Sequence, residues 1–198
     1  ENRSFVNYED LSPNIVHAAV ATEDERFYRH SGIDFESLAR VLIKTLLSSD
    51  SSQGGGSTIT QQLAKTLYPR EDVGSPFKMV WIKLKEWITA VKLERNYTKD
   101  EIMTMYMNQV FFGSNAYGIK AASQTFFGKV PADLTVEEAA TLVGMVNKPT
   151  RYNPALNPER SLQRRNLVIS RMEQNGFLTK AERDSIQQIP ITLSYQVQ

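Results

Sequence analysis

The apolar positions of this chain recur mostly three or four residues apart, the spacing that places side chains on one face of an α-helix. The first such stretch begins at Ser12-Pro13, a capping residue followed by a proline suited to the first helical position, and runs toward Glu23. A second stretch follows Asp34, which can cap a helix whose apolar stripe runs from Phe35 to Leu46. Two helices are therefore predicted before residue 48.

Local signals mark where further helices begin and end. Capping boxes, in which a threonine is followed three residues later by Gln or Glu, predict helix starts at Thr58, Thr98, Thr135 and Thr179. Gly128 and Gly176 suit the position just past a helix end, where a left-handed backbone is common. The chain is therefore predicted to be mainly α-helical, and it shows no internal repeat.

The longest predicted helix begins at Ser75-Pro76 and ends near Arg95. Its predicted core stripe consists of Phe77, Val80, Trp81, Leu84, Trp87, Ile88 and Val91. Lys83, Glu86 and Ala90 fall on the opposite face, which we expect to meet solvent. A lysine and a glutamate three residues apart on such a face usually form a solvated ion pair worth a few tenths of a kcal/mol.

Two segments break the helical pattern. Residues 48–56 are all Ser, Asp, Gln or Gly and predict a mobile loop, which is either disordered or a lid over a functional site. Ile191 to Val197 alternates like a strand and follows Pro190. We expect this strand to begin a connection to a following domain.

Composition narrows the functional classes. The 198 residues suit one domain spanning 1–198, and the absence of cysteine excludes a disulfide framework and thiolate chemistry. A net charge of +1 provides no global electrostatic field that would attract the chain to nucleic acid. No apolar run reaches the roughly 20 residues of a membrane span. Because Glu1 is not a natural start, we expect a fragment from which an N-terminal membrane anchor is missing.

The segment from Glu23 to Asp34 combines carboxylates, cations and rings ahead of a turn glycine. If it is helical, Glu23, Phe27 and His30 lie on one face, at i, i+4 and i+7. This face could be part of a reaction site. An ordinary charged helix end with a capping histidine explains the same residues equally well.

The segment from Gly55 to Lys65 is a second candidate. Thr58, Gln62 and Lys65 share a helix face behind a glycine turn, where backbone N–H groups at a helix N-terminus could bind an anion. The lysine lies too far from the last glycine for a Walker P-loop. An ordinary polar helix face after a linker is the alternative.

Taken together, these stretches resemble, in order, signature motifs of the peptidoglycan glycosyltransferases. The matching residues are Glu23-Asp24 with Phe27, His30 and Gly32, then Gly55 to Lys65, Lys83 to Glu86, Ile102 to Gly113, and Glu138 through Arg165-Asn166. This is glycosyltransferase family 51, found in class A penicillin-binding proteins and monofunctional transglycosylases. The resemblance covers nearly the whole chain. The chain departs from the family pattern at Ile82, where many members have arginine.

The resemblance implies a lysozyme-like helical domain with a smaller membrane-proximal subdomain, acting at the extracytoplasmic (periplasmic) face of the cell membrane. It implies polymerisation of lipid II into β-1,4-linked glycan, with inversion and release of undecaprenyl pyrophosphate, and inhibition by moenomycin-type phosphoglycolipids. The implied partners are lipid II, the growing glycan, the membrane surface and other cell-wall synthesis proteins, with a transpeptidase domain possible after residue 198.

The resemblance also implies roles for individual residues. Glu23 is the expected general base, and Glu86 is expected to orient Lys83 or to bind Mg²⁺ or Mn²⁺. Lys65, Lys83 and Arg164 are the expected pyrophosphate cations. The remaining expected substrate-binding residues are Asp24, Phe27, His30, Ser57, Thr58, Gln62 and Asn108. For His30 a structural hydrogen bond is favoured over proton transfer.

Two other functions fit parts of this pattern. A lysozyme-like hydrolase or lytic transglycosylase would use Glu23 as a general acid to cut glycan. A helical binding module would use the charged clusters only to contact anionic lipid headgroups. An apolar approach surface for a membrane substrate could come from Phe111-Phe112 with Phe77, Met79 and Trp81, although the spacing of Trp81 favours the core.

Overall fold

The computed structural model describes residues 5–47, 56–68 and 76–195. Within these ranges the chain forms nine α-helices: α1 (Pro13–Glu23), α2 (Phe35–Leu47), α3 (Ile59–Leu67), α4 (Pro76–Asn96), α5 (Lys99–Gln109), α6 (Ile119–Phe127), α7 (Val136–Met145), α8 (Pro158–Gln174) and α9 (Lys180–Gln187). Short 3₁₀ helices span Tyr8–Asp10 and Pro131–Asp133. The same residues contain no sheet, only one isolated bridge between Phe111 and Tyr117. The prediction of a mainly helical domain is confirmed.

Predicted helix boundaries are confirmed by their hydrogen bonds. The Gln61 N–H donates to Thr58 Oγ1 at 3.1 Å, and the Thr58 N–H donates to Gln61 Oε1 at 2.9 Å, so both halves of this capping box form. Ser12 caps α1 by accepting from the Asn14 N–H at 3.2 Å. Gly128 ends α6 in the left-handed conformation, at φ 64°. Such caps can be predicted from the sequence because their hydrogen bonds join residues only two or three positions apart.

Contacts divide the chain into two compact units. One unit comprises Glu1–Glu25 with Met107–Gln198, and the other comprises Arg26–Tyr106. In the first unit α1 packs on α7 and α8, which also pack on each other. Fully buried side chains at their interface include Ile15, Leu142 and Val168. These three helices form the core that holds the Glu23 end of α1.

The second unit is organised by α3 packing on α4. Gly32 adopts φ +99°, and a Cβ atom there would lie 2.8 Å from the carbonyl carbon of Ala90. Such a contact is shorter than real Cβ contacts, so only glycine permits this approach of the 26–34 segment to α4. Ala90 is accordingly completely buried.

The predicted orientation of α4 is wrong. Glu86 and Ala90 lie on its buried face, whereas Val80 and Trp81 are 62% and 59% exposed. Met79, Leu84 and Ile88 are also exposed. The reason is that Gly32 and α3 pack against the small and polar face of α4. The Phe77 side chain lies outside the described residues.

The C-terminal segment is also not the strand that was predicted. Residues 191–195 have no regular secondary structure, and 196–198 lie outside the described part of the chain. The Ser194 N–H donates to the Phe126 carbonyl at 2.9 Å, so the segment bonds to the end of a helix, α6, rather than to another strand. The predicted loop or lid at 48–56 lies outside the described residues except for Gly56.

The helices that the structure describes include none long and apolar enough to cross a membrane.

Candidate active site

Glu23 is the last residue of α1 and is only 9% exposed. Asn147, just beyond α7, directs its side-chain amide at Glu23, with Nδ2 3.5 Å from Oε1, at the long limit of a hydrogen bond. Arg171 of α8 donates from Nη1 to the carbonyl oxygen of Thr22 at 2.9 Å. The carboxylate therefore lies in a sheltered position, with an amide and a cation supplied by later parts of the chain.

Two arginines of α8, Arg164 and Arg171, lie about two helical turns apart. Burial lowers the pKa of Arg171, and the positive charge of Arg164 lowers it further, while Glu23 and Glu25 act in the opposite direction. Arg164 donates from Nε to the Gly144 carbonyl at 3.3 Å. A Cβ atom on Gly144 would lie 3.1 Å from Arg164 Cγ, so this glycine makes room for the arginine where it crosses α7. The structure thus brings Arg164 to the same region as Glu23.

The expectation that Glu23, Phe27 and His30 share a helix face is wrong. The helix ends at Glu23, because Asp24 adopts φ −160° and ψ 75°, and the chain then turns until α2 begins. Asp24 is buried as the C-terminal cap of α1. Phe27 and His30 belong to the Arg26–Tyr106 unit.

Phe27 and His30 form part of a tightly bonded cluster in that unit. His30 Nδ1 accepts from the Gly32 N–H at 3.0 Å, which is the structural hydrogen bond that the sequence favoured. Lys99 Nζ donates to the His30 carbonyl and to Glu94 Oε1, both at 2.8 Å. The same ammonium lies 4.5 Å from the centre of the Phe27 ring, which is fully buried. These contacts hold the 26–34 segment in place.

The predicted anion cradle before α3 is largely occupied by internal bonds. The Thr58 hydroxyl donates to the Gly32 carbonyl at 2.7 Å and accepts from the Gln61 N–H. Gln62 Oε1 accepts from the Tyr106 hydroxyl at 3.2 Å. Lys65, in the last turn of α3, is exposed. Of these three residues, Lys65 alone is exposed, whereas Thr58 is buried and Gln62 is half-buried.

Lys83 and Glu86 form a closer and more buried pair than the sequence predicted. Lys83 Nζ lies 2.9 Å from Glu86 Oε2 and 3.2 Å from Ser57 Oγ. The Glu86 side chain is 6% exposed and that of Lys83 is 38% exposed. Glu86 thus orients a partly exposed ammonium group beside the start of α3.

Asn108 is engaged with the N-terminal segment of its own unit. Its Oδ1 accepts from the Val6 N–H and its Nδ2 donates to the Val6 carbonyl, both at 3.0 Å. The substrate-binding role of Asn108 stays a prediction.

The described part of the chain contains no group of three or more His, Cys, Asp or Glu residues that could hold a metal ion. Glu86, the predicted ligand, already accepts from Lys83. Because Mg²⁺ often takes one or two carboxylates together with substrate phosphates, metal binding at Glu86 stays a prediction.

Four residues of these clusters were missed from the sequence: Asn147, Arg171, Glu94 and Lys99. Asn147 and Arg171 lie more than 120 positions beyond Glu23, and no local pattern connects them with it. The Glu94 to Lys99 spacing of five also differs from the i, i+3 and i, i+4 spacings of helical ion pairs.

Comparison with known proteins identifies the family. The family model described as Transglycosylase matches residues 1–173. The chain is 40% identical over 193 residues to penicillin-binding protein 1A of Aquifex aeolicus, covering 98% of this chain and 26% of that protein. It is 38% identical over 196 residues to penicillin-binding protein 1A of Pseudomonas aeruginosa, covering 99% and 23%.

A solved structure, penicillin-binding protein 1A from Haemophilus influenzae, shares 30% identity over 69% of this chain and 17% of that one. The TM-score between the two chains is 0.48.

The chain belongs to the transglycosylase family of peptidoglycan glycosyltransferase domains. It spans about a quarter of the length of the curated relatives it matches.

Proposed function

We propose that this domain polymerises lipid II into β-1,4-linked glycan, with a lysozyme-like arrangement of its helices and at the extracytoplasmic, periplasmic face of the cell membrane. The observation that carries the proposal is the buried Glu23 carboxylate, presented at the end of α1 in a chain of the transglycosylase family. Burial and neighbouring groups are the means by which enzymes adapt a carboxylate to act as a general base.

Glu23 acts on the acceptor. It takes the proton from the 4-hydroxyl of the incoming lipid II as that oxygen attacks the anomeric carbon of the growing chain. The bond from this carbon to the pyrophosphate oxygen breaks at the same time, and undecaprenyl pyrophosphate leaves with the bonding electrons. Attack from the opposite side to the leaving group inverts the anomeric configuration.

Cations act on the donor. The pyrophosphate gains negative charge as it leaves, and a preorganised cation stabilises that charge more than a mobile one. Lys83 is held by Glu86 and Ser57 at 2.9 and 3.2 Å, so its position is defined before substrate binds. Lys65 is exposed and adds a second positive charge. Arg164 is a further candidate cation for the pyrophosphate.

The exposed apolar face of α4 supports contact with the membrane that holds the substrate's lipid. Val80, Trp81, Leu84 and Ile88 are exposed together on one helix. Lys85 Nζ lies 5.9 Å from the centre of the Trp81 ring, an arrangement that suits the boundary between acyl chains and headgroups. We infer that α4 belongs to the membrane-proximal subdomain. Phe112 does not contribute, because its side chain is fully buried.

The function is tested with Glu23→Gln, which removes the basic oxygen but keeps the size of the side chain. Polymerisation of purified lipid II should fall by roughly 10²- to 10⁴-fold, the usual contribution of a general base. Circular dichroism should show an unchanged helix content. Normal turnover in Glu23→Gln would remove Glu23 from the mechanism.

Glu25→Gln is the matched control, because Glu25 is an exposed carboxylate two residues away, and it should retain turnover. The same chain is also incubated with polymerised glycan. Consumption of glycan rather than lipid II would contradict the proposal and indicate a lytic enzyme.

A further inference from the structure

Arg171 joins α8 to the end of α1 that carries Glu23. Its Nη1 donates to the Thr22 carbonyl at 2.9 Å, and the next residue along the chain is Glu23. The Arg171 side chain is partly buried, in the last turn of α8. This contact spans 149 positions of the sequence and ties two helices of the same core together at one carbonyl group.

The carboxyl end of a helix is an unfavourable place for a carboxylate. The last carbonyl groups of a helix lack intrahelical partners and give that end a partial negative charge. Glu23 is the last residue of α1 and Asp24 is its cap, so two buried carboxylates follow these carbonyls. A cation that donates a hydrogen bond to one of these carbonyl oxygens stabilises such a helix end. Arg171 supplies this cation.

Arginine is suited to this position because it keeps its charge when partly buried. Burial and the neighbouring Arg164 lower the pKa of Arg171, but the pKa starts so high that the guanidinium stays protonated near neutral pH. Arg164 points its Nε at a different carbonyl, that of Gly144. The two arginines of this helix face therefore have separate partners.

We propose that Arg171 is a positioning residue for the base: by binding the Thr22 carbonyl it fixes the end of α1, and with it the Glu23 carboxylate, in the orientation that accepts the acceptor's proton. This inference rests on the proposed function, in which Glu23 is that base. Arg171 acts through α1 and does not contact the substrate.

The test compares Arg171→Met with Arg171→Lys in the 198-residue chain, by steady-state polymerisation of lipid II. Loss of the anchor should lower kcat about tenfold or more in Arg171→Met, because small misplacements of a catalytic group are costly, while KM changes by less than about threefold. Arg171→Lys keeps a charged donor and should recover kcat to within about threefold of the parent chain. Arg160→Met, an exposed arginine on the same helix, is the matched control and should be unchanged.

Amide hydrogen exchange gives a readout that does not depend on turnover. The peptide containing Thr22 and Glu23 should exchange faster in Arg171→Met than in the parent chain or in Arg160→Met. If Arg171→Met fails to fold, Arg171→Gln, which keeps a donor without the charge, replaces it and should show the same two changes to a smaller extent.

The inference is overturned if kcat stays within about twofold of the parent chain, or if kcat falls while exchange at the end of α1 is unchanged. Glu23→Gln is assayed alongside. If it is inactive while Arg171→Met is normal, only the role of Arg171 fails. If Glu23→Gln keeps normal turnover, the assignment of the base in the proposed function fails.

Discussion

The contact between Asn147 and Glu23 shows how a neutral neighbour can suit a buried carboxylate. An amide can donate to the carboxylate without adding charge, and the 3.5 Å separation of Nδ2 and Oε1 makes this a weak bond. We therefore expect kcat to depend more on the charge of the side chain at position 147 than on the loss of this hydrogen bond.

Asn147→Asp should lower kcat for lipid II polymerisation by about tenfold or more, because a second carboxylate disfavours the ionised form of Glu23, the proposed base. Asn147→Leu removes only the weak bond and should stay within about threefold of the parent chain. Both are measured by steady-state turnover at neutral pH. Equal losses in the two variants would show that charge is not the deciding property.

Among the helices, α4 shows why an apolar stripe does not by itself indicate the core. Its apolar residues recur at helical spacing, but the buried face is the one with Glu86 and Ala90. The orientation is decided by the close approach of Gly32 to Ala90, two positions far apart in the sequence. A stripe satisfies the same spacing rule whether it packs on protein or on lipid.

The exposed face of α4 predicts membrane binding driven by apolar area. The double variant Val80→Asn with Trp81→Gln should bind vesicles of phosphatidylethanolamine and phosphatidylglycerol at least about tenfold more weakly, because burying one large apolar side chain contributes about 1.5–3 kcal/mol. Binding is measured by vesicle sedimentation. Leu156→Asn with Leu167→Asn, which changes exposed residues of the other unit, is the control and should bind normally.

If the parent chain no longer binds vesicles at high salt, this prediction is contradicted and purely electrostatic contact with headgroups is favoured.

The start of α2 predicts a pH-dependent stability. Asp34 accepts from the Ser37 N–H at 3.1 Å and from the Ser37 hydroxyl at 2.6 Å. Burial alone would raise the pKa of Asp34, but the hydrogen bonds from Ser37 and the charge of Arg26 outweigh this effect and lower the pKa below its usual value. The folded chain thus releases this proton more readily than the unfolded chain. The resulting stabilisation is complete above the unfolded pKa and is lost as the pH falls through the lower, folded pKa.

Asp34→Ala should therefore reduce the free energy of unfolding by about 1 kcal/mol at pH 7, a typical value for a lost helix cap, and by less in acid. Urea unfolding at pH 7 and near pH 3 measures both values. Asp133→Ala, which removes an exposed aspartate, is measured in parallel as the control. A constant effect of Asp34→Ala across this pH range would contradict the assigned ionisation.

At the scale of the whole molecule, the helical class and many helix ends could be predicted from the sequence, because caps such as Thr58 and Gly128 act over a few residues. The family could also be predicted, since its motifs run in order along the chain. The break in the helix after Glu23 could not, because the following charged segment has no strong helix-stop residue before Gly32 and could equally have continued as helix. Neither could the partnership of Arg171 with Thr22, which depends on how α1 and α8 pack.

The proposed base and the proposed donor-side lysines belong to different compact units. Glu23 and Arg164 belong to the unit built on α1, α7 and α8, whereas Lys65, Lys83 and Glu86 belong to Arg26–Tyr106. The proposed base and the proposed donor-side lysines thus depend on different sets of packing contacts. A variant that weakens one set need not weaken the other, so folding controls should monitor each unit separately.

The exposed face of α4 has a practical consequence for the isolated chain. In water, an exposed row of large apolar side chains such as Val80, Trp81 and Ile88 promotes self-association. A mild detergent would cover the same side chains and keep the chain dispersed. We therefore expect assays without detergent to underestimate the active concentration of the enzyme, since part of the sample would be held in aggregates.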